Sequence, residues 1–398
     1  MLESAIPEHL LQERIIPAST PSNFNPPFPA YSARFPKSSK DFVMAVIGAQ
    51  YAATPEEDGS AMSTLLGFFK DSPPSAEKKP SFWELASVTD TNGAYNIAVI
   101  AYWPNKESYT EWGAAIGFQN WWESLNPEEE NHGWFLEVFF PTVDRFETVF
   151  SDTNVIEGAA HMRESISGPI KEHVYWGSMR DRLPAGQTDA LVGENGHTAR
   201  KTTNSPLRRR TRVAGMKNLA IIRSGQDWSK THPEERKLYL ETMHPVLIKG
   251  MNFLRDQGDE VGCYSCRFMD IIDNVSHKAD KDRSFGLAFF DDLSSLEGWS
   301  KKHQTHLDIF GGFLKYAKSL NNIIMETFSG STFNSSFESR ASQLKRQKTW
   351  AAHASKLSKL QSDQEPLRYD RTGPRGGAID DQPGTETWNK NVSHRLEI

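Results

Sequence analysis

Twelve histidines are spread along the chain, and the closest two are His303 and His306. They stand just before an apolar run made of Leu307, Ile309, Phe310, Phe313 and Leu314. An imidazole at the edge of an aromatic, apolar surface suits an iron-porphyrin, because the ring nitrogen binds the metal while the macrocycle buries its faces against Phe, Leu and Ile. The same spacing describes a hydrogen-bonded surface histidine equally well, so spacing leaves both readings open. Two other segments concentrate reactive groups. His173 to Arg182 (HVYWGSMRDR) packs aromatic and charged residues into one short run, as in a pocket wall or an ion-pair cluster. Ser224 lies in Ile222 to Trp228 beside Gly225, at a strand end from which a hydroxyl can reach a cavity or close a turn.

The two cysteines, Cys263 and Cys266, form a CxxC pair. A zinc site takes four ligands and no second pair exists. In the strand-like run Val261 to Phe268, residues three apart point to opposite faces, so both are expected to be ordinary reduced thiols. The sequence has no phosphate-binding GxxxxGK[ST] loop, no GxGxxG after a strand, no HExxH and no GxSxG.

These groups need elements to hold them. Phe42 to Gly48 and Asn96 to Trp103 are apolar, partly β-branched runs that read as strands, and Lys106 to Trp122 reads as a helix. Later in the chain Leu219 to Arg223 and Phe285 to Phe290 are strand candidates, followed by a helical entry at Leu293 to Trp299. Ala101-Tyr102-Trp103 precedes Trp112 by the same separation at which Ala288-Phe289-Phe290 precedes Trp299. That match predicts a degenerate internal duplication of a strand–helix unit, and with it an α+β body of two related halves, about 41–200 and 213–322. Residues 1–40, rich in Pro, Ser and Asn, predict an extended arm lying on the body. Residues 323–398 lose apolar content and predict a polar, disordered tail.

The chain has 398 residues and a formal net charge of −6, which argues against non-specific nucleic-acid binding. The one dense basic run, Arg208, Arg209, Arg210 and Arg212, reads as a solvated loop. No apolar stretch long enough for a membrane span and no signal-peptide pattern is evident, so a cytoplasmic setting is expected.

Seven strings carry a family resemblance: Asn25-Pro26-Pro27-Phe28-Pro29, Gly48 to Tyr51, Arg145 to Thr148, Tyr175 to Arg182 (YWGSMRDR), Ile222 to Trp228 (IRSGQDW), Gly262 to Ser265, and His303 to Leu307. In this order and at these spacings they resemble the aldoxime dehydratases, across about residues 1–322. The resemblance implies duplicated ferredoxin-like halves forming a dimeric-type α+β barrel and a bound haem b, ferrous in the active form. It also implies conversion of a small aldoxime, R–CH=N–OH, to a nitrile and water, and a homodimer. Residue by residue, His306 matches the axial iron ligand and Ser224 the serine that hydrogen-bonds the oxime hydroxyl. Arg182 and Glu147 match the polar residues that support proton transfer.

One departure stands out. The family carries a distal histidine about twenty residues after the iron ligand, in a string of the type aromatic-His-Glu-Val. This chain has Ile323-Ile324-Met325-Glu326-Thr327-Phe328 there, and similarity is expected to stop near Asn322. This departure motivates a second reading, a haem-binding relative without turnover; the architecture that the resemblance implies motivates a third, a haem peroxidase-like enzyme.

Overall fold

The computed structural model describes residues 2–51, 59–70, 78–91, 93–126, 129–130, 132–151, 153–154, 156–193, 210–273, 276, 278–320, 326–334 and 337–342. The elements are β1 (Ala33–Arg34), β2 (Val43–Tyr51), α1 (Ser60–Lys70), β3 (Phe82–Thr89), β4 (Tyr95–Trp103), α2 (Lys106–Ala115), α3 (Phe118–Ser124), β5 (Gly133–Phe139), β6 (Phe146–Phe150), β7 (Ser165–Ile166) and α4 (Ser178–Arg182). The chain continues with β8 (Arg210–Ala214), β9 (Leu219–Asp227), α5 (Pro233–Thr242), α6 (His244–Asp256), β10 (Cys263–Ile272), β11 (Ala279–Phe290), α7 (Leu293–Lys302), α8 (Gln304–Leu320), β12 (Glu326–Asn334) and β13 (Phe337–Ser342). The helix expected over Lys106 to Trp122 is two helices, because Gly117 takes a left-handed φ of 73° between them.

Eleven strands form one sheet in the order β6-β12-β9-β11-β10-β3-β4-β2-β5-β13-β8. Within it the same chain order occurs twice. β2, α1, β3, β4, the α2–α3 pair and β5 run strand–helix–strand–strand–helix–strand, and so do β9, the α5–α6 pair, β10, β11, the α7–α8 pair and β12. Each set lies in the sheet in the same sequence, last strand, first, third, second. The two sets join where β10 runs antiparallel to β3, with Ile271 opposite Ala86. Trp112 and Trp299, the pair that marked the repeat in the sequence, are both buried on the helices that follow the third strand of each set.

Alternation along the strands sorts the apolar residues onto two faces. One face carries a core shared by both sets, including Val46, Ile100, Phe135, Phe146, Ile221, Phe285 and Leu287. On the opposite face the first set is covered by α1, α2 and α3 through Leu65, Trp103, Trp112 and Trp122. The second set is covered by α6 and α7 through Ile222, Ala288, Phe290, Met251, Leu254 and Trp299. Buried ion pairs tie the sets together through the shared core: Arg223 on β9 meets Glu84 on β3 at 2.6 Å, and Arg267 on β10 pairs with Glu137 on β5.

Three further expectations differ from the structure. Residues 326–334 and 337–342, expected to begin a polar tail, are strands: β12 lies between β9 and β6, and β13 pairs with β5 and β8. Backbone hydrogen bonding to neighbours on both sides recruits a polar stretch that carries little apolar signal of its own. Residues 343–398 lie outside the described residues. Arg210 and Arg212, expected in a loop, belong to β8, an edge strand, where basic residues commonly guard an open edge; Arg208 and Arg209 lie outside the described residues. Cys263 and Cys266, expected on opposite faces, share one apolar cluster because a register shift between Cys263 and Ser265 inserts an extra residue. Both are free, and burial pushes the Cys263 thiol up to about 12.

No helix among the described residues is long and apolar enough to cross a membrane.

Candidate active site

His306 stands in the first turn of α8, and the residues before it explain its placement. α7 ends at Lys302, and His303 is the extended residue between the two helices. The His303 ring stacks on Phe253 at 3.9 Å, and its Nδ1 lies 2.9 Å from Thr305 Oγ1. Trp299 Nε1 donates to the same Thr305 oxygen at 3.2 Å. His303 is therefore consumed in holding the junction, and the next turn carries His306 inward. His306 is 3% exposed and packs between Trp299 at 4.8 Å and Trp176 at 6.1 Å. Its Nδ1 has no hydrogen-bond partner. Burial drives its pKa down to about 4, with the Ser300 backbone carbonyl opposing, so the imidazole is neutral at physiological pH and able to donate a lone pair.

Across the layer from α7 and α8 lies the sheet face that carries Ser224. Ile222 belongs to the cluster under α6 and α7, and Ser224, two residues on along β9, falls on the same face. The β9–β11 register places Gly286 directly opposite Ser224, and the β10–β11 register places Phe268 opposite Gly286. A row of hydroxyl, bare backbone and aromatic ring thus crosses three strands. A Cβ on Gly286 would stand 2.8 Å from Met251 Sδ, so the bare glycine leaves a shallow cradle in the sheet face, into which the flexible end of Met251 on α6 reaches.

Glu147 and Arg182 are brought together. Arg182 Nε donates to Glu147 Oε2 at 2.9 Å and Nη2 to Oε1 at 3.1 Å, with both residues under 5% exposed. Arg182 Nη1 also donates to the Glu172 carbonyl at 3.0 Å. α4, which carries Arg182, starts at Gly177 with a φ of 91°, where a Cβ would meet Ser19 Oγ at 2.3 Å. Asp181 on the same helix accepts from the Thr20 amide and hydroxyl, both at 2.7 Å, so the N-terminal segment is pinned to this helix. Glu147 and Ser224 are separated by one strand: Glu147 stands opposite Ser331 of β12, Ser331 opposite Ile222, and Ser329 opposite Ser224. With about 4.8 Å between strands, Glu147 and Ser224 lie on the order of 12 Å apart. The Glu147–Arg182 pair also borders a small cavity beneath Pro7 and Leu10, which Ser224 and His306 do not line.

The strand between them, β12, is where the resembled family's distal histidine belongs, and this chain has no histidine over 321–342. His353 and His394 lie outside the described residues. A buried imidazole does stand close enough to Arg182 to feel its charge: His173, 4% exposed, whose Nε2 has no partner. Burial first and the Arg182 charge second lower its pKa to about 4, opposed by a backbone hydrogen bond at Phe28. Gly286, Met251 and Phe268 were not singled out from the sequence, because their role depends on the register of β9, β10 and β11, which no spacing along the chain reveals.

The residues fit haem. A buried neutral imidazole, aromatic walls and a cradle held open by Gly286 suit an axial ligand beside a flat apolar group. Among the described residues no group of three or more His, Cys, Asp or Glu could hold a bare metal ion.

Comparison with known proteins gives the family. The family model for haem-containing dehydratases matches residues 45–333, past Asn322 where similarity was expected to stop. The aliphatic aldoxime dehydratase of Pseudomonas chlororaphis is 35% identical over 325 residues, covering 81% of this chain and 90% of that protein. The phenylacetaldoxime dehydratase of Bacillus sp. (strain OxB-1) is 31% identical over 304 residues, covering 75% and 83%. A crystal structure of an aldoxime dehydratase in complex with butyraldoxime superposes with a TM-score of 0.78 at 32% identity, covering 86% of this chain and 94% of that one. The chain belongs to the haem-containing dehydratase family.

Proposed function

We propose that this protein is a haem-dependent aldoxime dehydratase, converting R–CH=N–OH to R–C≡N and water. The observation that carries the reading is the pairing of a buried neutral imidazole, His306, with a sheet face on which Ser224 lies beside the Gly286 cradle. Haem bound at His306 supplies ferrous iron, a Lewis acid for the oxime nitrogen.

The chain's own residues handle the protons. The reaction removes the carbon-bound proton, breaks the N–O bond and must protonate the departing oxygen, because hydroxide is a poor leaving group. Ser224 Oγ–H is the donor that the sheet offers to the oxime hydroxyl. Arg182, fixed by Glu147, contributes a permanent positive charge on the same face. Trp176, Trp299 and Phe310 exclude water around His306. A chain without a histidine on β12 is expected to turn over more slowly than one with it, by about 10²–10⁴-fold if no other group supplies the acid.

The repeated strand order supports reading the two sets as duplicated ferredoxin-like halves. The run of β12 and β13 along both β6 and β5 supports a barrel-like arrangement of those halves. A homodimer and a cytoplasmic location remain part of the proposal. The match to named dehydratases favours turnover over a haem-binding relative without activity and over a peroxidase-like enzyme.

The test is an anaerobic incubation of reduced, haem-loaded protein with butyraldoxime or phenylacetaldoxime. Nitrile release is expected, with loss on Ser224→Ala at unchanged haem content. Folded, fully loaded protein that releases no nitrile from either oxime overturns the reading.

A further inference from the structure

At the end of β9, away from the ion pairs and the axial histidine, three aromatic side chains crowd together with their polar atoms unused. Trp228 and Tyr239 are each 1% exposed, with ring centroids 4.8 Å apart. His244, the first residue of α6, stands 5.4 Å from Trp228 and 5.9 Å from Tyr239. Trp228 Nε1, the Tyr239 hydroxyl and His244 Nδ1 are buried and have no hydrogen-bond partner. Their neighbour Tyr316, 6.1 Å from Tyr239, is satisfied: its hydroxyl donates to Glu235 Oε1 at 2.9 Å.

Buried polar groups are nearly always paired, so three orphans in one nest call for an absent ligand. The indole N–H can only donate, and the phenol and the imidazole can donate as well, so the ligand they would share is an acceptor. A carboxylate satisfies several such donors at once.

The nest lies at the rim of the candidate haem layer. His244 packs at 6.2 Å against Phe268, the outer member of the row that runs from Ser224 over Gly286. Trp228 and Tyr239 share an apolar cluster with Phe310 and Phe313, which follow His306 along α8. Trp228 itself follows Ser224 on β9 by four residues. A flat group held by His306 and lying over Gly286 therefore presents one edge to this nest. His244 is also the partly exposed member of the three, which puts water beside the site.

We propose that Trp228, Tyr239 and His244 receive a carboxylate, and that the carboxylate is a propionate of the haem. The inference rests on the haem reading above and adds the orientation of the macrocycle: its propionate edge points toward the start of α6, away from Glu147 and Arg182.

The experiment titrates the full haem-free chain with haemin and with haemin dimethyl ester, whose propionates carry no charge, and follows the Soret band. Wild type is expected to prefer haemin by about tenfold or more, the worth of a charge-assisted hydrogen bond. Tyr239→Phe and His244→Ala should each lose most of that preference. Their affinity for the ester and the axial-histidine spectrum should stay unchanged, and circular dichroism should confirm the fold. Tyr239→Phe keeps shape and removes only the hydroxyl, so it remains informative if His244→Ala folds poorly. Variants that still prefer haemin as strongly as wild type overturn the proposal and leave the axial site intact; a buried water is then the occupant. Wild type that binds neither compound overturns the haem reading itself.

Discussion

Gly286 on β11 stands directly opposite Ser224 on β9, and the space its missing side chain leaves is reached by Met251 Sδ. The pairing joins the hydroxyl proposed to meet the substrate with a bare backbone position on the same row of the sheet. Gly286→Val is expected to lower haem content several-fold while leaving far-UV circular dichroism unchanged. Gly286→Ala should be milder, since its Cβ meets only the end of a flexible methionine, and Met251→Ala in the same chain should restore loading. Soret absorbance per protein after haemin reconstitution reads each case. Full loading of Gly286→Val would show that the porphyrin lies elsewhere.

The two histidines of the His303-Gln304-Thr305-His306 string should behave oppositely. His306→Ala is expected to abolish the axial-histidine Soret spectrum, with added imidazole restoring it by occupying the vacated space. His303→Ala should keep the spectrum and lose stability instead, because it removes the ring stacked on Phe253 and the partner of Thr305. A loss of about 1–3 kcal/mol by urea titration is the expected scale. If both variants retain the same haem spectrum, neither imidazole is the ligand.

How much of this was legible beforehand depended on the kind of signal. Strands β2, β4, β9 and β11 announced themselves as apolar runs, β-branched in the first three, since both of their faces are covered. The Trp112 and Trp299 match picked out two tryptophans that are each buried in a cluster between helices and the sheet. β12 was read as a polar tail, because Ser329, Gly330, Ser331 and Thr332 give no apolar alternation and backbone pairing alone defines the strand. Spacing alone could not separate His306 from His303, and the family resemblance named His306; the stacking of His303 on Phe253 supports that choice. Gly286 and the Trp228–Tyr239–His244 nest were invisible along the chain, because each is a relation between segments distant in sequence.

Acid should destabilise the haem-free protein in a defined window. His306 and His173 both have folded pKa values near 4, below the ordinary 6.5, because burial disfavours the imidazolium. Between those values the unfolded chain binds more protons than the folded one, so stability rises with pH there. The contribution is fully present above about pH 6.5 and is lost as pH falls toward 4. Each shift corresponds to roughly 3 kcal/mol. Urea midpoints from pH 7.5 to 4 should show this slope, and His306→Phe should remove about half of the histidine part. A variant with an unchanged slope would mean that His306 is solvated and titrates normally.

Arg182 and Glu147 answer a separate question, whether the polar pair serves the fold alone or also the chemistry. Removing one partner leaves an uncompensated buried charge, so Arg182→Met and Glu147→Leu should each cost roughly 3–5 kcal/mol. The double replacement should cost less than their sum, because it leaves no orphan ion. If the pair is only structural, the double variant regains stability and with it nitrile formation. If Arg182 also steers the departing oxygen, the stable double variant keeps normal haem content and substrate affinity but loses about 10²-fold in kcat. The pair sits across one strand from Ser224 on the same sheet face, and on the proposed reading that placement favours the second outcome. Glu147→Gln separates the two further: it keeps the side-chain shape and one acceptor for Arg182 Nε and removes the carboxylate charge. A fall in kcat larger than the accompanying loss of urea midpoint is the expected signature. Equal loss of kcat and stability in every variant would assign the pair to the scaffold.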